Sequence, residues 1–138
     1  MSIPTTQEIP SLLRANALTS WSQRLQEFFR TNLQSFAWPE SRVALANGNN
    51  NNVNIKGGYV VYVIGPTGPF AIGGIGGGTP GRQIILCNRS SGTMSLSEAA
   101  AGSAVGNRII TGTGAVIAKV ATLIWSHQDT SWILVSSR

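Results

Sequence analysis

A chain of 138 residues, 42% hydrophobic and only 11% charged, is long enough for one folded domain and too apolar for a disordered one. Ten Lys and Arg against five Asp and Glu give a net charge of +5, but the cations stand singly, which excludes the clustered basic surface of a nucleic-acid binder. The one cysteine, Cys87, excludes an intrachain disulfide and a multi-cysteine zinc site, and its place after Ile84-Ile85-Leu86 predicts a buried free thiol.

Residues 2–9 read as an extended arm, and residues 11–17 fit a short helical turn behind Pro10. Ser20 and Gln23 have the spacing of a capping box. Behind them Trp21, Leu25, Phe28, Phe29, Leu33 and Phe36 trace one face of an amphipathic helix, which Pro39 stops. This aromatic face has two readings. It packs on the rest of its own chain, or it is the attachment and oligomerisation surface that meets copies or a larger partner. Its polar face is short of Lys and Arg, against a membrane-surface helix. No basic stretch followed by an apolar core marks a signal peptide, so synthesis in the cytoplasm is expected. The uncharged stretch 57–81 is broken by Gly and Pro too often for a membrane helix.

The asparagine-rich stretch 47–52 reads as a polar turn, dividing an N-terminal part, residues 1–46, from a β-module, residues 47–138. Strands are predicted over 53–56, 59–64, 70–72, 83–88, 93–97, 108–111, 115–125 and 131–135, with 97–106 as a loop. Many short strands without intervening helices point to a mainly β fold, a small β-sandwich or barrel-like module behind the arm and helix.

Gly76-x-Gly78-x-x-Gly81 matches the spacing of a dinucleotide-binding loop. That chemistry needs a helix N-terminus behind the glycines to offer free amides to the pyrophosphate. Pro80 and the strand-like Arg82-Gln83-Ile84-Ile85-Leu86 supply none, so the stretch is read as a bend between strands and no cofactor is expected. Gly65-Pro66-Thr67-Gly68-Pro69-Phe70 loses the collagen period at Ala71 and is read as a turn. The single histidine, His127, lies with Asp129 in a short polar segment between two apolar runs, the composition of a hairpin turn. No nucleophile elbow accompanies it, and five acidic residues leave little material for metal or paired-carboxylate chemistry. No catalytic or metal-binding residue is therefore expected. Trp125 and Trp132 flank the turn; they are read as a cross-strand pair in the core, with a glycan-stacking platform as the alternative.

Across residues 68–138 these features come in a set order. Gly68-Pro69-Phe70-Ala71-Ile72 leads to Gly74-Ile75-Gly76-Gly77, Gly81 and Ile84-Ile85-Leu86-Cys87-Asn88. Met94-Ser95-Leu96 follows, then Asn107-Arg108-Ile109-Ile110, Thr113-Gly114-Ala115, Leu123-Ile124-Trp125 and Trp132-Ile133-Leu134-Val135. This half of the chain resembles a small β-domain of tailed-bacteriophage virion proteins, found in capsid decoration (cement) proteins, head fibres and tail-fibre tips. The resemblance implies a homotrimer and a non-enzymatic structural role in the virion. A capsid decoration protein bound to the major capsid protein or another virion protein is the first expectation. A short tail-fibre or head-fibre protein binding a host surface glycan is the second, and a free-standing carbohydrate-binding module the third. Neither nucleic acid nor membrane is an expected partner.

Overall fold

The structure is a computed structural model and describes residues 19–28 and 39–138. The chain divides into two compact units, Met1–Ala37 and Trp38–Arg138. In the first, residues 19–28 form an α-helix. The helix already includes Thr19, so Ser20 sits inside it rather than capping it. Trp21, Leu25 and Phe28 lie on this helix and are exposed, Trp21 by 61% and Phe28 by 58%. The arm over 2–9, the turn over 11–17 and the helix residues Phe29, Leu33 and Phe36 lie outside the described residues.

The second unit is mainly β, as the sequence predicts, but it is neither a sandwich of hairpins nor a barrel. Its strands are β1 (Glu40–Ala44), β2 (Gly48–Asn50), β3 (Val60–Ile64), β4 (Phe70–Ile72), β5 (Gln83–Asn88), β6 (Met94–Leu96), β7 (Ile109–Ile110), β8 (Val116–Ile117), β9 (Val120–Ser126) and β10 (Ser131–Ser137). β1, β3 and β5 run parallel in one sheet, while β2, β4 and β6 run parallel in the other. From β1 to β6, the connection after each strand swings the chain into the opposite sheet instead of reversing it beside its neighbour. Three successive coils thus stack in a solenoid-like way, with Glu40 paired to Val60 and Val60 to Ile85. A third line of pairing joins Val53 to Ile75. The antiparallel strands β9 and β10, followed by β7, complete a six-stranded sheet in the order β1-β3-β5-β9-β10-β7. β8 completes the four-stranded sheet β2-β4-β6-β8.

The two sheets enclose one core. Successive side chains of a strand point to opposite faces, so Val61, Val63, Ile84, Leu86, Ala121 and Leu123 come inward from the large sheet. Phe70, Ile72, Met94 and Leu96 meet them from the small one. Each large aliphatic side chain buried this way contributes about 1.5–3 kcal/mol.

Several elements differ from the sequence reading. β1 forms inside the N-terminal part, residues 1–46, and β2 inside the stretch 47–52 read as a polar turn, so the β-unit begins before residue 47. The asparagines there join the coils together. Asn47 Oδ1 accepts the amides of Thr67 and Gly68, both at 3.0 Å. Asn52 Oδ1 accepts Ala104 N and Asn107 Nδ2, both at 2.8 Å. The predicted strand 115–125 is broken at Ala118-Lys119 into β8 and β9, and 53–56 is reduced to the single bridge at Val53. The loop over 97–106 holds turns and runs into a 3-10 turn, Val105–Asn107.

Candidate functional site

The glycine-dense stretch is a packing device. No helix follows it: Gly81 has a φ of 79° and leads into β5. Gly73 and Gly74 are buried. A Cβ on Gly74 would meet the Ser103 side chain and come within 2.7 Å of the Asn107 carbonyl oxygen. A Cβ on Gly78 would run into the indole of Trp125. The side chain that follows the glycines closes the bend. Arg82 Nη1 donates to Gly77 O at 2.6 Å, and Nη2 donates to Lys56 O at 2.8 Å and Gly58 O at 3.3 Å. A guanidinium presents its donors in a fixed fork, so this one cation ties two coil corners together.

The tryptophans pair directly across β9 and β10, Trp125 opposite Trp132. Trp132 is 0% exposed and its indole N–H donates to Ile75 O at 2.8 Å. Trp125 is half-buried against the core, with its N–H donated to Gly106 O at 2.8 Å. Trp132 therefore has no ring face for a sugar, and Trp125 has its polar handle committed and Gly78 against its edge. The glycan-platform reading is corrected to a structural one for Trp132, while Trp125 keeps part of its ring at the surface.

His127 is exposed in the β9–β10 turn, as its sequence context implies. Ser126 Oγ donates to Asp129 Oδ2 at 2.7 Å and accepts Asp129 N at 3.2 Å, so both side chains shape the turn. Among the described residues, no group of three or more His, Cys, Asp or Glu could hold a metal ion, and no helix is long and apolar enough to cross a membrane.

Glu98 is the residue whose local chemistry the sequence conceals. Its Oε2 accepts Thr111 N at 2.7 Å, Gly112 N at 2.9 Å and the Thr111 hydroxyl. The Thr111 hydroxyl bond, then the Thr111 backbone amide, hold the carboxyl below the usual carboxylate range. A lowered folded value means the fold favours the ionised form. The stabilisation is complete above the ordinary carboxylate range and is lost as pH falls through the lowered value. Glu98 is exposed, so solvent screens the effect. Glu98→Gln is expected to flatten the acid limb of a Tm-against-pH curve while leaving the neutral Tm within a few degrees. An unchanged acid limb would exclude this role.

The outer face of the six-stranded sheet is the largest feature that sequence reading did not single out. Cys87 belongs to it, half-buried on the outward side of β5, which corrects the expectation of a buried thiol. It lines a shallow depression of about 560 Å³ together with Val60, Ile85, Val120 and Thr122 and, on its polar side, Ser136, Ser137 and Arg138. At the β1 margin, the Tyr62 hydroxyl donates to Glu40 Oε1 at 3.0 Å, and the Arg89 guanidinium lies 5.6 Å from the Tyr62 ring centre. The hydrogen bond to the Glu40 carboxylate, and its charge, raise the Tyr62 pKa.

Fold and face together define a class, a short stack of β-coils closed by an antiparallel hairpin. Comparison of the chain with protein-family models, curated proteins and solved structures finds no match.

Proposed function

We propose that this protein is a non-enzymatic structural subunit of a tailed-bacteriophage virion, working as a capsid decoration protein. The observation that supports the reading is the outer face of the large sheet, where outward Val60, Ile85, Val120, Ile124 and Ile133 suit contact with protein rather than chemistry on a small molecule. The resemblance over residues 68–138 gives that contact its setting. The chain is made in the host cytoplasm and ends in the virion, beside copies of itself and the major capsid protein or another virion protein. There it stabilises the shell by mass action, because a ligand that binds only the assembled state raises its apparent stability.

Purified capsids lacking the protein test this. They are expected to bind added protein and to withstand a higher temperature before releasing their contents. Failure of both would remove the decoration role. A second reading, a short tail-fibre or head-fibre protein that binds a host surface glycan, draws on a separate observation. Parallel coils stack along one axis and the hairpin closes only one end, a geometry suited to the tip of a projection. On that reading, excess free protein blocks adsorption of the phage to its host and leaves capsid stability unchanged.

A further inference from the structure

We propose that a cleft at the β1 margin of the six-stranded sheet, walled by Arg42 and Arg89, takes a carboxylate from an acidic segment of the capsid protein to which this chain attaches. The inference rests on the reading of the outer face as a contact with the capsid, and adds where that contact is charged and what it selects.

Strand register puts the parts together. Arg42 on the edge strand β1 pairs with Tyr62 on β3, and Tyr62 pairs with Cys87 on β5. Arg89 follows the end of β5, and its amide donates to Val63 O at 2.8 Å, which sets it beside Ile64. Val61, Val63, Leu86 and Asn88 point inward, so their neighbours Tyr62, Ile64 and Arg89 point outward. With Glu40 and Arg42 they line a depression of about 350 Å³. The two arginines stand two strands and one two-residue step apart, roughly 12 Å between Cα atoms. Two guanidiniums reaching in from opposite sides close such a gap on one ligand group.

Both forks are open. Arg82 spends its donors on the carbonyls of Gly77, Lys56 and Gly58, and Arg108 donates to Ser103 O. Arg42 and Arg89, by contrast, donate to no carbonyl or carboxylate of the described residues. Arg89 meets only a ring, with its guanidinium 5.6 Å from the Tyr62 centre. The acid of the cleft, Glu40, is engaged elsewhere: it takes the Tyr62 hydroxyl at 3.0 Å and lies one row back, opposite Val60. Two open cations against one engaged acid call for an anionic partner.

A guanidinium fork fits carboxylate and phosphate alike. The floor decides between them. Ile64, 37% exposed, lies between the arginines, and the neighbouring outward row sets Val60 beside Ile85. A glutamate brings an apolar stem with its carboxylate, and the protein around it covers Val60 and Ile85; a phosphate or a sugar acid leaves them in water. Arginine and tyrosine are also the side chains on which protein contacts concentrate their energy. Charges on β1 guard an edge strand against wrong pairing without any partner. That role does not account for Arg89, which stands two strands inside the edge.

Wild-type protein is titrated onto purified capsids that lack it, at low and at high salt. Affinity is expected to fall with salt. Arg42→Gln and Arg89→Gln are each expected to weaken low-salt binding about tenfold or more and to flatten the salt dependence. Lys119→Gln removes an equal charge outside the cleft, where Lys119 lines a separate depression with Ser91 and Ile117, and is expected to stay within about twofold of the parent. Should Arg89→Gln lose structure with its ring contact, Arg42→Glu, at an exposed position, replaces it and is expected to weaken binding further than Arg42→Gln. Polyglutamate is expected to displace the bound wild-type protein. Displacement by polygalacturonate but not by polyglutamate would make the cleft a site for an acidic glycan and overturn the proposal. Wild-type binding that neither arginine substitution weakens overturns it too, and leaves the decoration reading standing. Capsids that bind no wild-type protein overturn that reading, and with it the partner named here.

Discussion

Trp132→Ala is expected to cost about 3–5 kcal/mol and to lower the melting temperature of the β-unit by more than about 10 °C. Native domains are stable by only about 5–15 kcal/mol, so one such loss removes much of the margin. The indole is 0% exposed and stands where the closing hairpin meets the coils. Its neighbours come from separated parts of the chain: Ile109 pairs with it from β7, Trp125 from β9, and Ile75 receives its N–H. Truncation therefore opens a cavity at the junction and removes the donor from the Ile75 carbonyl. Trp132→Phe separates the two effects, since it keeps most of the ring but deletes the donor. It is expected to cost about 1–3 kcal/mol, the range for leaving one buried polar group unpaired. Urea melts of the two variants decide the matter. Equal losses would mean that the hydrogen bond, and not packing, holds the junction.

The strands that coil this core were legible where hydrophobic pattern and turn residues agreed. Residues 70–72 and 83–88 coincide with β4 and β5, and 59–64 differs from β3 by one residue. The Trp125–Trp132 register could be read because an apolar run stands on each side of a polar turn. β2 could not. Gly48-Asn49-Asn50 has poor strand propensity and is extended because it pairs with Phe70, Ala71 and Ile72 on a neighbouring coil. Strand direction was equally hidden, since local signals do not say whether a glycine turn reverses the chain or passes it to another sheet. A repeat would have revealed the coils, but its spacing is irregular. Glu40 meets Val60 after 20 residues, whereas Val60 meets Ile85 after 25. The outer face was visible in principle. Val60-Val61-Tyr62-Val63-Ile64 does not alternate in hydrophobicity, the pattern of a strand that is apolar on both faces.

Gly78→Ala carries the second large effect, about 1–3 kcal/mol, the range for forcing extra volume into a filled site. The added methyl group would run into the Trp125 indole, and neither partner is free to yield. The indole is held by its bond to Gly106 O at 2.8 Å and packs against the core. The glycine backbone is held by Arg82, whose guanidinium grips Gly77 O at 2.6 Å, and Gly77 has a φ of 78° that fixes the turn. Gly76 supplies the control: a Cβ there comes no closer than 3.7 Å to Val53 O, so Gly76→Ala is expected to stay within about 0.5 kcal/mol of the parent. A double-mutant cycle assigns the cause. In a Trp125→Leu background the penalty for Gly78→Ala should shrink, because the ring that the methyl group strikes is gone. An undiminished penalty would move the strain to the backbone. A negligible one in both backgrounds would mean that the glycine stretch is not held against Trp125 at all, and the bend would lose its account as a packing element.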